Sequence, residues 1–170
     1  VYGNQVICVD PVNEIDQDYE AGAKGTDFIN KLIMGLKEMA DRYRVLMICV
    51  THPPVDVYRR KRPSDLWTLY DAEGSRHWAG KSDAGFCLWR PHPKGPTFCN
   101  VAKLKNNEVF GRPDLLQLRH DQRTNTFSVE ARGLHLLEQI KTDIEAGTWD
   151  NGPPLSKPGN VTPIYSAQRG

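Results

Sequence analysis

The chain has 170 residues, 25% charged and 39% hydrophobic, with a formal net charge of +1. That length suffices for one domain with a real core. The near-zero charge excludes bulk attraction to nucleic acid, so any DNA contact must come from local clusters or backbone groups. No apolar run approaches the roughly 18 residues that span a membrane, and the first residues lack the basic start and apolar stretch of a signal peptide. The chain opens Val1-Tyr2-Gly3 without Met and enters an apolar run almost at once, which leads us to expect a fragment.

Val6 to Val9 is a short continuous apolar run, the pattern of a central parallel strand covered on both faces. It stops at Asp10-Pro11, and residues 11 to 25 read as a loop. Thr26 or Asp27 then caps an expected helix. Phe28, Ile29, Leu32, Ile33, Leu36, Met39, Ala40 and Tyr43, in steps of three and four, mark its apolar face. Gly35 within it suggests the close approach of another group. Val45 to Val50 is a second strand, stopped by Thr51-His52-Pro53-Pro54, and completes a βαβ unit. Val55 to Leu66 has no apolar periodicity and reads as a mobile basic loop. Ala72 to Ser82 reads as a loop leading into a short helix.

Gly85 to Trp89 is the next predicted strand, Pro91 to Pro96 a turn, and Thr97 to Lys105 a strand running into a loop through Gly111. Leu115 to Arg119 and Thr126 to Val129 read as a terminal hairpin turning at Asp121 to Asn125. Leu134 to Ala146 is a further helix, and residues 147 to 170, rich in Gly, Pro, Ser and Asn, are expected to be a flexible tail. The predicted class is α/β, a mainly parallel sheet with a C-terminal antiparallel hairpin. The expected division is one partial domain over 1–132, a helix over 133–146 and the tail. Cys8, Cys49, Cys87 and Cys99 all sit in apolar runs without a C-x-x-C pair, so they read as buried reduced thiols and suggest a cytosolic setting.

Five features carry candidate chemistry. Asp10 ends the first strand, and open α/β sheets bind ligands outside the carboxyl ends of their strands. A carboxylate there can hold Mg²⁺ through water, although an apolar strand that turns at Asp is also common. His52 ends the second strand, so adjacent parallel strands would bring it to the same edge, about 5 to 10 Å from Asp10 at the backbone. Its imidazole can donate to a phosphate oxygen, or it is simply a loop histidine held by Pro53. Lys103 and Lys105 project to one side of a strand and could reach a nucleotide on a neighbouring subunit, or form a solvated face. Glu73-Gly74-Ser75-Arg76 precedes a helix start whose N–H groups favour phosphate, or whose Ser75 merely caps it. Arg59, Arg60, Lys61 and Arg62 suit a phosphate backbone or a solvated surface loop.

In this order the segments resemble the ATPase domain of DnaB-type replicative DNA helicases, most of all phage primase-helicases and the mitochondrial Twinkle helicase. Val6-Ile7-Cys8-Val9-Asp10-Pro11-Val12-Asn13-Glu14 resembles the family's Walker B segment. Val50-Thr51-His52-Pro53 is similar to its next motif, whose His or Gln senses the γ-phosphate. Gly74-Ser75-Arg76-His77-Trp78 through Lys81-Ser82-Asp83 resembles the stretch leading into the DNA-facing segment. Lys103-Leu104-Lys105 through Gly111 resembles the Lys-x-Arg motif with its downstream glycine, and Leu115 to Val129 the closing strands. The resemblance covers residues 5 to 130.

It implies a hexameric RecA-like P-loop NTPase ring that binds ATP and Mg²⁺ between subunits and draws single-stranded DNA through its centre. It also implies a bacterial or phage-infected cytoplasm and no membrane. Asp10 would act on Mg²⁺ through water, His52 would couple the γ-phosphate to the loop after it, and Lys103 and Lys105 would reach the neighbour's nucleotide. The tail, 147–170, could meet a polymerase or primase.

Two departures stand out. Lys105 occupies the place where the family usually has Arg, and a point charge replaces a planar fork. The G-x-x-x-x-G-K-[ST] loop does not occur in the 170 residues, nor does the family's catalytic glutamate, both of which lie upstream of Walker B. Other readings are a non-catalytic RecA-like module that binds DNA or a replication partner, and a recombination-type RecA-like ATPase. The isolated 170-residue chain is expected to bind ATP poorly and to hydrolyse it negligibly. A steady phosphate-release rate in a coupled assay would overturn that expectation.

Overall fold

A computed structural model of the chain describes Gly3 and residues 5–15, 25–91 and 95–148, with the backbone alone at 25, 26 and 75. The expected tail from 149 onward, residues 92–94 of the expected turn, and 16–24 of the expected loop lie outside the described residues. The described residues gather into two compact units, one drawn from Val1–Arg60 and Leu69–Asp83, the other from Lys61–Thr68 and Ala84–Gly170.

The first unit runs β1 (Val6–Val9), α1 (Gly25–Tyr43), β2 (Leu46–Cys49), α2 (Val55–Arg60) and α3 (Ser75–Lys81), with single 3-10 turns at Val12–Glu14 and Leu69–Asp71. The two strands pair in parallel from Val6 opposite Leu46 to Val9 opposite Cys49, as the βαβ reading requires. Val12, Ile29, Ile33 and Trp78 form the buried core, with Val9, Ile15, Phe28, Leu32, Cys49 and Ala72 packed around it. Each full burial of such a side chain contributes about 1.5–3 kcal/mol.

Only one face of the strand pair meets this core. Val6 (52% exposed), Leu46 (59%) and Ile48 (43%) lie on open surface, so the expected cover on both faces is present on one. Their apolar character suits a doubly covered strand, but the elements that pack on β1 and β2 here lie to one side. The apolar stripe of α1 is likewise buried at Ile29 and Ile33, while Met39 and Tyr43 are exposed. Nothing lies within 4 Å of a Cβ built at Gly35, so the expected close approach is not there.

The stretch expected as a loop from Val55 to Leu66 begins as helix α2. Asp56 in its first turn pairs with Arg60 one turn on, 2.8 Å away. Acid at the start and base at the end both suit the helix dipole. The Tyr58 N–H donates to the Pro54 carbonyl at 3.0 Å. Because α2 buries no residue, it carries no apolar period to read.

The second unit comprises β3 (Ala84–Trp89), β4 (Thr97–Leu104), α4 (Asn107–Phe110), β5 (Asp114–Asp121), β6 (Thr126–Arg132) and α5 (Leu134–Glu145). Its sheet has the order β3-β4-β5-β6, antiparallel throughout. The expected terminal hairpin is β5–β6, with Asn125 in the left-handed region at φ 52°. The α/β class holds, but the antiparallel part is this whole sheet, and among the described strands the parallel part is β1–β2 alone. The reason lies in the link from Trp89 to Thr97. A parallel return needs a crossover of about a dozen residues or more, and that link is too short.

Phe98, Leu115, Leu137 and Ile140 make the second core, sandwiching α5 against one face of the sheet. Trp89 stacks on Phe98 with ring centroids 5.3 Å apart. Gly133 turns β6 into α5, and its N–H donates to the Leu115 carbonyl at 2.7 Å. A Cβ there would stand 2.9 Å from Phe98 Cδ1 and 3.0 Å from Leu115 Cγ. The cysteines depart from the expected burial, since Cys8 is exposed and Cys49, Cys87 and Cys99 are half-buried. Cys8 lies on the uncovered face of the strand pair. Burial raises the thiol pKa of Cys49, with a further rise from neighbouring Cys8, and burial raises that of Cys99.

Glycine substitutions separate these environments. Gly133→Ala, and Gly74→Ala, where φ is +68° and Ile29 stands 2.8 Å away, should each cost about 1–3 kcal/mol. Gly35→Ala, in open helix, should gain about 0.5–1 kcal/mol. Urea denaturation measures all three. Iodoacetamide at pH 8 should alkylate Cys8 before Cys49 and Cys99, whose raised pKa leaves less thiolate. Peptide mass spectrometry over time reads the order.

Candidate functional site

Asp10 and His52 follow the carboxyl ends of two paired parallel strands and so stand on one rim of the first unit. Beyond the ladder, the Val50 N–H donates to the Val9 carbonyl at 2.9 Å and the Val12 N–H to the Val50 carbonyl at 2.8 Å. The parallel pairing therefore continues past both strand ends, and Asp10 sits beside the segment that carries Thr51 and His52. Both residues are exposed. Among the described residues neither the Asp10 carboxylate nor the His52 imidazole has a hydrogen-bond or ion-pair partner. A carboxylate and an imidazole left open to solvent at the carboxyl end of a parallel pair are free to take a ligand.

Asn13, which carries no assigned role in the sequence, organises this rim. Its side-chain oxygen accepts from the His52 backbone N–H at 2.9 Å and from the Thr51 hydroxyl at 3.1 Å. Its Nδ2 donates to the Glu73 carboxylate at 2.7 Å. Val12, 1% exposed, anchors the adjacent backbone in the core. Trp78 Nε1 donates to the Glu73 carbonyl at 2.8 Å, fixing the other end. A polar residue beside a deeply buried one at a strand's carboxyl end is the local signal, and it is weak without the fold.

The Glu73–Arg76 segment therefore borders the same rim. Its Glu73 carboxylate is engaged by Asn13, and the N-cap of α3 is Gly74 in the left-handed region, with no side-chain cap bond. Gly80-Lys81-Ser82 looks like the end of a phosphate-binding loop, but it closes α3 instead. The Lys81 ammonium donates to Asn30 Oδ1, and the Ser82 hydroxyl donates to the Trp78 carbonyl at 2.7 Å.

The basic run is largely occupied by its own chain. Arg60 pairs with Asp56. Arg62 lies 3.5 Å from Asp65. Lys61 donates to the Leu66 carbonyl at 2.8 Å and stands 5.4 Å from the centre of the Trp67 ring. Arg59, exposed at the end of α2, has no such partner among the described residues. In the second unit, Lys103 pairs with Gly85 near the end of β4, beside a register shift between Gly85 and Phe86. The strand stops at Leu104, so Lys105 lies beyond it, exposed. The expectation that strand alternation aims both lysines to one side therefore covers Lys103 only.

The Mg²⁺ and nucleotide that the resemblance implies fit this rim in part. Among the described residues no three His, Cys, Asp or Glu side chains cluster as a metal cage. Mg²⁺ keeps several waters and needs only one or two carboxylates plus substrate phosphates, which is what Asp10 offers. No helix of the described residues is long and apolar enough to cross a membrane.

No protein-family model matches the sequence. The Twinkle homolog protein, chloroplastic/mitochondrial, of Arabidopsis thaliana is 26% identical over 133 residues, which span 75% of this chain and 18% of that protein. A solved DnaB-like replicative helicase, studied with its interactions with primase, matches the fold with a TM-score of 0.56 at 19% identity. That match covers 72% of this chain and 29% of the other. The chain thus spans less than a third of either protein. In fold and in sequence it is similar to the RecA-like domain of DnaB-type replicative helicases.

Proposed function

We propose that this chain is the C-terminal part of a ring-forming, hexameric replicative helicase motor that couples ATP hydrolysis to translocation on single-stranded DNA and duplex unwinding. The observation that carries the reading is the shared rim, where the open Asp10 carboxylate and His52 imidazole follow two adjacent parallel strands. The exposed apolar face of β1 and β2 adds support, because such strands suit the inside of a larger sheet. The similarity to the Arabidopsis Twinkle homolog adds a second, independent line.

In this reading Asp10 would hold a nucleotide's Mg²⁺ through water, and that ion would neutralise phosphate charge. His52 would donate to the γ-phosphate and couple it to the loop after it, Pro53 to Leu66. Lys103 and Lys105 reach the nucleotide of the adjacent subunit and stabilise charge there. Arg59 to Arg62 and Glu73 to Arg76 lie toward DNA. Among the described residues Arg59 is the one of the first four not engaged by its own chain, and Gly74, Ser75 and Arg76 would be the contacting part of the second. A primase or polymerase would meet the parent outside the two described cores, through the tail.

The full-length parent tests this directly. Its ATPase should rise when a single-stranded oligonucleotide is added, and Asp10→Asn should cut the rate by about 10–100-fold. His52→Ala should retain ATP binding but lose the DNA stimulation. Rings mixed from Asp10→Asn and Lys103→Ala subunits should regain part of the activity that each lacks alone, because some interfaces then hold both intact residues. A wild-type parent without DNA-dependent ATPase would refute the reading.

A further inference from the structure

We propose that Asn13 is the positioning residue that couples the segment carrying His52 to the segment carrying Gly74, Ser75 and Arg76. The proposal rests on the helicase reading and specifies how its two ends communicate. A single amide holds both. Oδ1 takes the His52 N–H and the Thr51 hydroxyl, while Nδ2 gives its proton to the Glu73 carboxylate. With the Asn13 side chain in place, a shift of about 1 Å in either segment takes one of these bonds outside the ordinary range of about 2.7–3.2 Å.

The amide is itself held on a firm base. Val12, directly before it, is buried among Ile29, Ile33 and Trp78, and its N–H is bonded to Val50. Trp78 also bonds the Glu73 carbonyl, and the Glu73 N–H faces the His52 carbonyl at 3.5 Å. The contacts form a closed circuit from residue 13 to 52 to 73 and back. Coupling between sites travels through such an element when both sites bias its arrangement. A displacement of His52 therefore reaches Glu73 by two routes, the shorter bonds of the Asn13 amide and the long backbone contact.

The chemistry of the bracket gives a selective probe. Asn13→Asp keeps both acceptor bonds to Thr51 and His52 but replaces the donor facing Glu73 with a second carboxylate oxygen, so like charges oppose. Adding Glu73→Gln restores a donor, because the Gln amide can give its proton to the new Asp. Glu73→Gln alone keeps an acceptor for Asn13.

The experiment measures ATPase rates of the full-length parent with and without a single-stranded oligonucleotide and takes their ratio. Asn13→Asp should lower the ratio by about fivefold or more against wild type, whereas in the Glu73→Gln background the same substitution should change it by less than about twofold. A general loss of fold lowers both rates together and leaves their ratio unchanged, so a fall in the ratio separates positioning from misfolding. An Asn13→Asp protein with the wild-type ratio, or an equal fall in the Glu73→Gln background, overturns the proposal while leaving the helicase reading intact. A wild-type protein whose ratio is one overturns both.

Discussion

Two four-residue strands pair side by side, and their hydrogen bonding runs on for one more step at the carboxyl end. That extra step, from Val50 to Val9 and from Val12 to Val50, is what gives the rim its geometry. Each such bond is worth about 0.5–1.5 kcal/mol net, a modest sum, yet together they fix which residues can meet. Parallel pairing places both carboxyl ends on one side, so the groups following the strands share an edge. Had the pairing been antiparallel, Asp10 and His52 would have faced opposite ends of the unit. The burial of Val12 holds the backbone beside Asn13, and the Asn13 amide bonds to both segments that follow.

Local electrostatics follow a different logic. The densest run of positive charge in the chain, Arg59 to Arg62, spends most of its charge on its own neighbours. Exposed pairs such as Arg60 with Asp56 contribute little to stability, but they order side chains that would otherwise wander. The run is thus better described as a short helix with a pinned continuation than as a cloud of cations. A phosphate backbone approaching it would compete with Asp56 and Asp65 for the same guanidinium groups and would meet Arg59 without such competition.

The strand-helix-strand order was legible because Val6–Val9 and Val45–Val50 are continuous apolar runs and α1 has steps of three and four. The same residues gave Asp10 and His52 as strand-end groups. Helix α2 was not legible, because a helix that buries nothing has no period to detect. The extent of the antiparallel sheet was hidden for another reason. Strands Gly85–Trp89 and Thr97–Lys105 were visible, but their direction depends on the brevity of the link between them. The bracket at Asn13 was out of reach, since its partners at 51, 52 and 73 are set by tertiary contacts that no spacing encodes. Lys105 fell outside its strand because the ladder ends one residue earlier than the apolar pattern suggests.

The two units differ in how far along the chain their pairings reach. Each strand of the four-stranded sheet bonds to the next one in sequence, whereas β1 must find β2 across the whole of α1. Short-range pairing forms early and long-range pairing late, because loop closure must precede any gain from contact. The parallel pair that bears Asp10 and His52 therefore closes a longer loop than any neighbouring pair of the meander and gives up more chain entropy in forming.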